Sequence, residues 1–175
     1  MSEIFSMKAG QHLSSTAIAS VPTENSRYPV YGGNGLRGYG KAASHSGRYL
    51  LIGRQGALCG NVKRVSGDFY ATEHAVVTKP IDEMDVDFAY HLLTVMNLNK
   101  HKSSGAQPGL AVSNLSELLI PIPPLDEQTK TAKLLDKFDA LVNDLTCGLP
   151  AELNARRKQY EYYRDKLLTF QEAPA

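Results

Sequence analysis

The segment 121–124, with sequence PIPP, divides the chain into two parts with different sequence patterns. Proline is strongly disfavoured in a helix interior or a central strand, and it restricts the residue before it to extended backbone. Upstream, short apolar runs alternate with Gly, Ser and Asn, which is typical of strands and loops. Downstream, no proline occurs until Pro150, and apolar residues recur at helical spacing. The sequence therefore predicts an α+β fold, with a β-rich domain at 1–124 and a helical region at 125–175.

Four runs in the first part are predicted to be strands, because their apolar residues are continuous or alternate. They are 48–52, 57–62, 75–78 and 118–122. One amphipathic helix is expected at 85–98, where Phe88, Leu92, Val95 and Met96 share a face and Asp87 lies near the start.

The second part is predicted to form two helices, the first capped by Asp126 and the second beginning after Gly148. A narrow apolar stripe with charged flanks favours coiled-coil-like antiparallel pairing, between the two helices or with a second chain. Packing of both helices on the first domain is the alternative. Arg156 is expected to pair with an acid on a partner helix, and the tyrosines to be buried rather than stacked on bases. The stripe comprises Leu135, Phe138, Val142, Leu145, Leu153, Arg156, Tyr160, Tyr163, Leu167 and Phe170.

Charge is unevenly distributed although the net charge is only +1. Between Asn25 and Gly67 there is no Asp or Glu, while seven cations occur: Arg27, Arg37, Lys41, Arg48, Arg54, Lys63 and Arg64. Such a segment favours a surface that faces phosphates, and an ordinary solvated face is the alternative.

Within this segment, Gly33, Gly35 and Gly38 match the glycine spacing of a dinucleotide-binding loop. That loop requires a helix directly after it and an acid about 20 residues later. Neither is present, since the next acid is Asp68. The glycines are instead predicted to form a tight loop that presents Tyr31, Asn34, Arg37, Tyr39 and Lys41, or a simple turn without a ligand.

Two further segments carry side chains suited to nucleic acid. Arg54 and Gln55 stand between glycines and belong to the residue types that bind base edges, whereas Lys63 and Arg64 are expected to contact phosphate. The polar segment 99–108 adds Lys100, Lys102, Ser104 and Gln107. An ordinary surface hairpin and a bare loop are the alternatives.

Other classes of protein receive little support. Cys59 and Cys147 are far apart and predict reduced thiols rather than a disulfide or a zinc site. Thr72-Glu73-His74 and His45 form no recognisable catalytic arrangement. The chain has no apolar run of about 18 residues and no secretory signal, so a cytoplasmic protein without a membrane span or a metal is expected.

Several long segments resemble the DNA-specificity (S) subunits of type I restriction-modification enzymes. Residues 121–170 resemble the helical spacer of that family, and 28–40, 53–62 and 103–125 resemble its target-recognition domain. The resemblance implies a non-catalytic subunit that recognises part of a split DNA sequence, with helices that set the distance between half-sites and bind methyltransferase subunits. This chain holds one recognition domain and one helical region, which implies either a half-length subunit that forms a homodimer or a fragment of a longer one.

The resemblance also implies partners and cofactors. Double-stranded DNA, methyltransferase subunits, a second copy of the chain and, through the assembled complex, restriction subunits are the expected partners. No cofactor is expected on this chain, while adenosylmethionine, ATP and Mg are expected on partner subunits. The alternative is an assembly module that binds the methyltransferase or a full S subunit without recognising DNA.

Overall fold

The computed structural model describes residues 1–56, 58–81, 84–103, 109–144 and 148–169. The chain divides into two compact units, Met1–Ala132 and Lys133–Ala175. The fold is mixed α+β, as the sequence predicted. Its described elements are β1 (Phe5–Ala9), β2 (Tyr28–Gly32), β3 (Gly35–Gly40), β4 (His45–Ser46), β5 (Tyr49–Gly53), β6 (Val62–Val65), β7 (Asp68–Ala71), β8 (Ala75–Pro80), α1 (Val86–Val95), α2 (Val112–Ser116), α3 (Leu125–Asn143) and α4 (Leu149–Leu168).

The first sheet is antiparallel, with strand order β1-β8-β5-β6. Its central strands β5 and β8 are apolar on both faces, because the sheet separates two hydrophobic clusters. On one face, Leu50, Ile52 and Val76 pack with Ala89 and Leu93 of α1. This face forms the larger core of the first unit.

The second sheet has the order β3-β2-β7-β4, with β2 and β7 parallel and the other pairs antiparallel. It packs on the other face of the first sheet through a cluster in which Leu51, Val65 and Val77 meet Phe69 and Ala71. Successive side chains of a strand point to opposite faces. The alternation therefore places Leu50 and Leu51 in different clusters. It also directs Lys63 and Arg64 of β6 to opposite faces of the first sheet.

The predicted strands at 48–52 and 75–78 correspond to β5 and β8. The prediction at 57–62 is wrong, because residues 58–60 form a turn and β6 begins only at Val62. The prediction at 118–122 is also wrong, because these residues pair with no strand in the described part of the chain. Five further strands are not predicted from the sequence: β1, β2, β3, β4 and β7.

The predicted helix at 85–98 corresponds to α1, which is shorter at its carboxyl end. Asp85 is the N-cap, and its Oδ1 accepts from the backbone N–H groups of Asp87 and Phe88 at 2.9 Å each. Asp87 lies in the first turn, near the start of the helix as predicted. Asn97 then adopts a left-handed conformation at φ 49°, and a 3₁₀ turn follows at Leu98–His101.

The helix α3 begins at Leu125, so Asp126 lies in its first turn and the predicted N-cap is wrong. Gly148 is the N-cap of α4, with Pro150 in the first turn as predicted. No described helix is long and apolar enough to cross a membrane.

The apolar stripe of α3 and α4 is exposed in the single chain. In α3 only Gln128 and Ala132 are buried, and α4 has no buried residue in its described length. Arg156 interacts within its own helix, with Gln159 at 3.2 Å and Glu152 at 3.9 Å. Leu145 and Phe170 lie outside the described residues. The exposed fractions are 37% for Leu135, 54% for Phe138, 53% for Val142, 69% for Leu153, 66% for Tyr160, 51% for Tyr163 and 75% for Leu167.

Candidate nucleic-acid interface

The turn of the β2–β3 hairpin lies against the loop that follows β5. A Cβ on Gly53 would overlap the carbonyl oxygen of Gly33, and a Cβ on Gly33 would lie 2.8 Å from the carbonyl oxygen of His74. Asn61 Nδ2 also donates to Asn34 Oδ1 at 3.4 Å. These contacts join the turn at 33–34, the loop 53–61 and the turn 72–74, which together are called the loop end of the domain.

Arg54 is a half-buried anchor of the loop end. Its backbone N–H donates to the His74 carbonyl at 2.9 Å, and its carbonyl accepts from Leu110 at 2.7 Å. Its guanidinium donates to the Glu73 carbonyl at 3.2 Å. The sequence predicted a base-contacting side chain here; the structure shows that at least one guanidinium nitrogen is engaged within the domain.

Gln55 is exposed and is held from one side by a histidine. His74 Nδ1 lies 2.6 Å from Gln55 Oε1, and His74 Nε2 lies 3.4 Å from Glu73 Oε1. The same carboxylate oxygen is 3.0 Å from His12 Nδ1. The sequence did not predict His12, Glu73 and His74 as site residues. Only the adjacent Glu73-His74 pair is recognisable in the sequence, because His12 is 61 residues from Glu73.

Glu73 is the acid at the centre of this group. Burial by itself would raise its pKa, but hydrogen bonds from its own backbone N–H and from His12, together with the charge of His74, lower the pKa below its ordinary value. The carboxylate is therefore ionised near neutral pH. Its negative charge is directed at two histidines, which reduces its repulsion of an approaching polyanion.

The segment after α1 reaches the loop end from another side. Asn99 Nδ2 donates to the Cys59 carbonyl at 2.7 Å, and Lys102 Nζ donates to Asn99 Oδ1 at 3.0 Å. Gln55 forms an isolated backbone bridge with Gly109. Lys100 and Lys102 are exposed, so two of the predicted cations lie on a segment that packs on the loop end. Ser104 and Gln107 lie outside the described residues.

The β2–β3 hairpin spreads its predicted residues along its length. Arg37 is exposed, and its stem covers Gly32, where an added Cβ would lie 2.6 Å from Arg37 Cδ. Tyr31 is half-buried against Phe69, with ring centroids 6.0 Å apart. Tyr39 is half-buried and pairs through its backbone with Ala19.

Lys41 is not brought to the loop end. The register pairs Gly32 with Gly35 at the turn and Tyr28 with Gly40 at the opposite end of the hairpin. Lys41 follows Gly40 and lines a depression with Tyr28, Ser44 and Asp68. The tight loop predicted for this glycine-rich segment is therefore a pair of strands joined by a two-residue turn, Gly33 and Asn34. Gly35, the first residue of β3, adopts a φ of 107°.

The two cations of β6, Lys63 and Arg64, have different roles, and Arg48, just before β5, shares the partner of Arg64. Arg48 and Arg64 both donate to Asp87 Oδ1, at 2.7 and 3.1 Å, and the Arg64 guanidinium lies 4.2 Å from the centre of the Tyr90 ring. Lys63 points to the opposite face, where an added Cβ on Gly35 would lie 3.9 Å from its Cε. Lys63 therefore belongs to the loop end, whereas Arg64 is paired on the α1 side.

Asp87 lies outside the segment 25–67, which has no acid, and its carboxylate pairs with two cations of that segment, Arg48 and Arg64. Burial would raise its pKa, but hydrogen bonds from Arg48 and Arg64 and their positive charges lower the pKa below the ordinary value.

Within the described ranges, no three His, Cys, Asp or Glu side chains are grouped as metal ligands. Cys59 is buried with a free thiol, and Cys147 lies outside the described residues.

The sequence matches a known family over residues 1–155, the "Type I restriction modification DNA specificity domain". It is 53% identical over 146 residues to the type I restriction enzyme EcoprrI specificity subunit of Escherichia coli, covering 83% of this chain and 36% of that protein. It is 36% identical over 151 residues to a putative type I specificity subunit of Haemophilus influenzae, covering 82% of this chain and 39% of that protein. The chain thus spans less than half the length of these relatives.

Solved structures share the fold. The S subunit of a type I restriction-modification system from M. genitalium superposes with a TM-score of 0.69 at 22% identity, covering 98% of this chain and 45% of that chain. The HsdS subunit from Thermoanaerobacter tengcongensis gives a TM-score of 0.61 at 19% identity, covering 83% of this chain and 37% of that chain. The relatives are specificity subunits of type I restriction enzymes, which confirms the family that the sequence resembles. The chain belongs to the type I restriction-modification DNA specificity domain family.

Proposed function

We propose that this chain recognises one half of a bipartite DNA sequence through its loop end. The observation that carries the proposal is the convergence of segments from three separate parts of the sequence. The hairpin turn contacts the loop 53–61, and the segment 99–103 packs on that loop. Each of these segments is a candidate for DNA contact in the sequence, where a simple turn, a surface hairpin and a bare loop are the respective alternatives.

The side chains at the loop end suit both components of DNA binding. Arg37 and Lys63 are exposed cations that can neutralise phosphates, which supplies affinity without sequence information. Gln55 and Asn34 are exposed amides that can donate to and accept from base edges in the major groove. The close backbone contact between Gly33 and Gly53 keeps these side chains on one rigid surface.

The helices support the second part of the proposal, a homodimer that presents two loop ends. The exposed apolar stripe on α3 and α4 requires a partner, since monomeric proteins rarely leave such a surface in water. The 19 residues of α3 extend about 28 Å at the α-helical rise. One turn of DNA is about 34 Å, so a helix of this length is suited to spacing two half-sites.

In this proposal the helices also bind methyltransferase subunits and, through the complex, restriction subunits. Adenosylmethionine, ATP and Mg belong to those partners, and the assembly acts on DNA in the cytoplasm.

The experiment is selection from randomised DNA duplexes by the full chain with the methyltransferase subunit present. Enrichment of a split inverted repeat is expected. Enrichment of a single uninterrupted half-site would contradict the dimer, and absence of enrichment would contradict DNA recognition.

An assembly module that binds the methyltransferase without recognising DNA is the second candidate, and the exposed stripe favours it equally well. A triple variant with Arg37, Arg54 and Lys63 each changed to Glu separates the two functions. DNA recognition predicts lost DNA binding with intact methyltransferase binding. Lost methyltransferase binding with unchanged DNA binding would favour the assembly module.

A further inference from the structure

Gln55 is the exposed amide of the loop end whose orientation is set by a titratable group. The His74 ring stands between two oxygen atoms, with Nδ1 at 2.6 Å from Gln55 Oε1 and Nε2 at 3.4 Å from Glu73 Oε1. His74 is partly exposed at 38%, and Glu73 at 31%. The ring is therefore accessible to protons from solvent, and the exposed Gln55 amide is free to turn beside it.

The chemistry of the two oxygens determines which form of His74 fits. An amide oxygen only accepts hydrogen bonds, so the short contact with Gln55 Oε1 requires a proton on Nδ1. Nε2 lies at an ion-pair distance from Glu73, and the imidazolium, which carries a proton on both nitrogens, fits both contacts at once. When the neutral ring carries its proton on Nε2, beside Glu73, Nδ1 becomes an acceptor. Gln55 must then turn its amide by half a rotation, so that its NH₂ group donates to Nδ1.

We propose that His74 is a positioning residue for Gln55, and that the proton on His74 selects which end of the Gln55 amide is presented to a DNA base. This inference rests on the proposed function and deepens it by naming a specificity-determining pair. Turning the amide exchanges its donor and acceptor along the exposed edge. A bidentate contact with adenine needs a donor and an acceptor in a fixed order, so the two forms favour different bases or base positions.

Three charged or titratable side chains face this pair. Glu73 contacts the ring directly, His12 binds the same carboxylate oxygen at 3.0 Å, and the Arg54 guanidinium donates to the Glu73 carbonyl. Glu73 is held ionised by a lowered pKa, and arginine remains charged across the ordinary pH range. Of the side-chain types in this group, histidine is the one that ordinarily changes charge between about pH 5 and 8.

The first test needs no DNA. In the full-length chain, the ring-nitrogen NMR signals of His74 and the side-chain amide signals of Gln55 are followed over about pH 5 to 8. The amide signals are expected to move with the same midpoint as the His74 ring, and to lose this movement in His74→Phe. The phenylalanine keeps the ring shape at a partly exposed position and removes both nitrogens. An amide signal that moves identically in His74→Phe would overturn the positioning role.

The second test is duplex selection at the two ends of that pH interval, by the full chain with the methyltransferase subunit. The wild type is expected to change its preference at one base pair by about 5- to 150-fold, the range of a bidentate base contact. His74→Phe is expected to show no pH-dependent change at that position. Gln55→Glu, which offers only acceptors, is expected to shift the preference toward cytosine at both pH values.

His12→Gln is the matched control, since His12 binds the same carboxylate but does not touch Gln55. It is expected to retain the pH-dependent change. Loss of that change in His12→Gln together with its retention in His74→Phe would assign the effect to His12 and overturn the inference. A wild-type chain that enriches no sequence would overturn the proposed function as well. Enrichment with an unaltered, pH-dependent preference in His74→Phe would overturn this inference alone.

Discussion

The backbone of Gly33 lies directly against the backbone of Gly53. A Cβ built on Gly53 would overlap the Gly33 carbonyl oxygen, a group of the main chain that cannot move without displacing the hairpin turn. The two residues come from different sheets, since Gly33 follows β2 and Gly53 ends β5. This contact therefore fixes the hairpin turn relative to the loop that carries Arg54 and Gln55.

Gly53→Ala should consequently destabilise the domain. Forcing a methyl group into a packed site costs about 1 to 3 kcal/mol, and here the displaced atoms are backbone. We expect a lower denaturant midpoint and weaker DNA binding, measured by urea unfolding and by fluorescence anisotropy. Gly109→Ala is the control, because a Cβ there meets the Arg54 carbonyl oxygen at an ordinary 3.5 Å. Equal losses for both variants would contradict the importance of the Gly33–Gly53 contact.

Arg37 and Lys63 should contribute to DNA affinity through phosphate contacts. Changing each to Gln is expected to weaken binding uniformly across sequences and to reduce the salt slope of the binding constant by about 1 per residue. Arg48→Gln is the control, because Arg48 donates to Asp87 at 2.7 Å. Its loss should lower thermal stability and leave the salt slope unchanged. The idea fails if Arg48→Gln alters the slope as much as Lys63→Gln does.

The pairing of Asp87 with Arg48 and Arg64 should make stability depend on pH in the acid range. The folded-state pKa of Asp87 is lowered, so its contribution is complete above the ordinary pKa of about 3.9 and disappears as pH falls through the lower folded-state value. Asp87→Asn is expected to cost about 1 kcal/mol at pH 7. The difference from wild type should shrink below about pH 4.

The control for Asp87 is Asp126→Asn. Both aspartates lie in the first turn of a helix, but Asp126 is 66% exposed and pairs with Lys130 at 3.1 Å within its own helix. Exposed pairs of this kind contribute roughly 0.3 to 0.5 kcal/mol. Urea unfolding of both variants at several pH values measures the effect. An Asp87→Asn cost that stays constant down to the lowest pH would refute the assignment.

The strands that could be predicted are those buried on both faces. Leu50, Leu51 and Ile52 are continuous apolar residues because β5 separates two clusters, and such runs are recognisable without knowledge of the fold. The strands β2 and β3 read as YPVYG and GLRGYG, and their glycines and proline indicate turns. Pairing with neighbouring strands overrides that local preference, so the sequence alone predicts a loop where the structure has a hairpin.

The candidate site could be predicted as segments but not as contacts. Composition indicated the hairpin and the loop with Arg54 and Gln55, because cations and amides between glycines are visible in one window of sequence. The contact of His12 with Glu73 spans 61 residues and depends on how the strands cross. For the same reason, the acid-free segment did not reveal that Arg48 and Arg64 are directed to Asp87.

Gln128 should be required for the stability of the first unit. It is fully buried in α3, where its Oε1 accepts from the Asp85 N–H at 2.8 Å and its Nε2 donates to the Pro123 carbonyl at 2.9 Å. Gln128→Leu keeps the volume but removes the partner of two partly buried backbone groups, the Asp85 N–H and the Pro123 carbonyl, at a cost of about 1 to 3 kcal/mol. Calorimetric unfolding measures this loss. Gln159→Leu, at an exposed position of α4, should change stability by less than about 0.5 kcal/mol.

Phe138 and Leu167 should control self-association rather than folding. Both belong to the exposed apolar stripe, at 54% and 75% exposure, so their replacement by Ser removes little burial from the single chain, and the unfolding free energy of the dilute chain should change by less than about 1 kcal/mol. In a dimer each buries an apolar side chain, and a loss of about 1.4 kcal/mol weakens association tenfold. Sedimentation equilibrium of Phe138→Ser, Leu167→Ser and the exposed polar control Asp139→Ser measures this difference. A wild-type chain that remains monomeric at micromolar concentration, or an equal effect of Asp139→Ser, would show that the stripe has another partner.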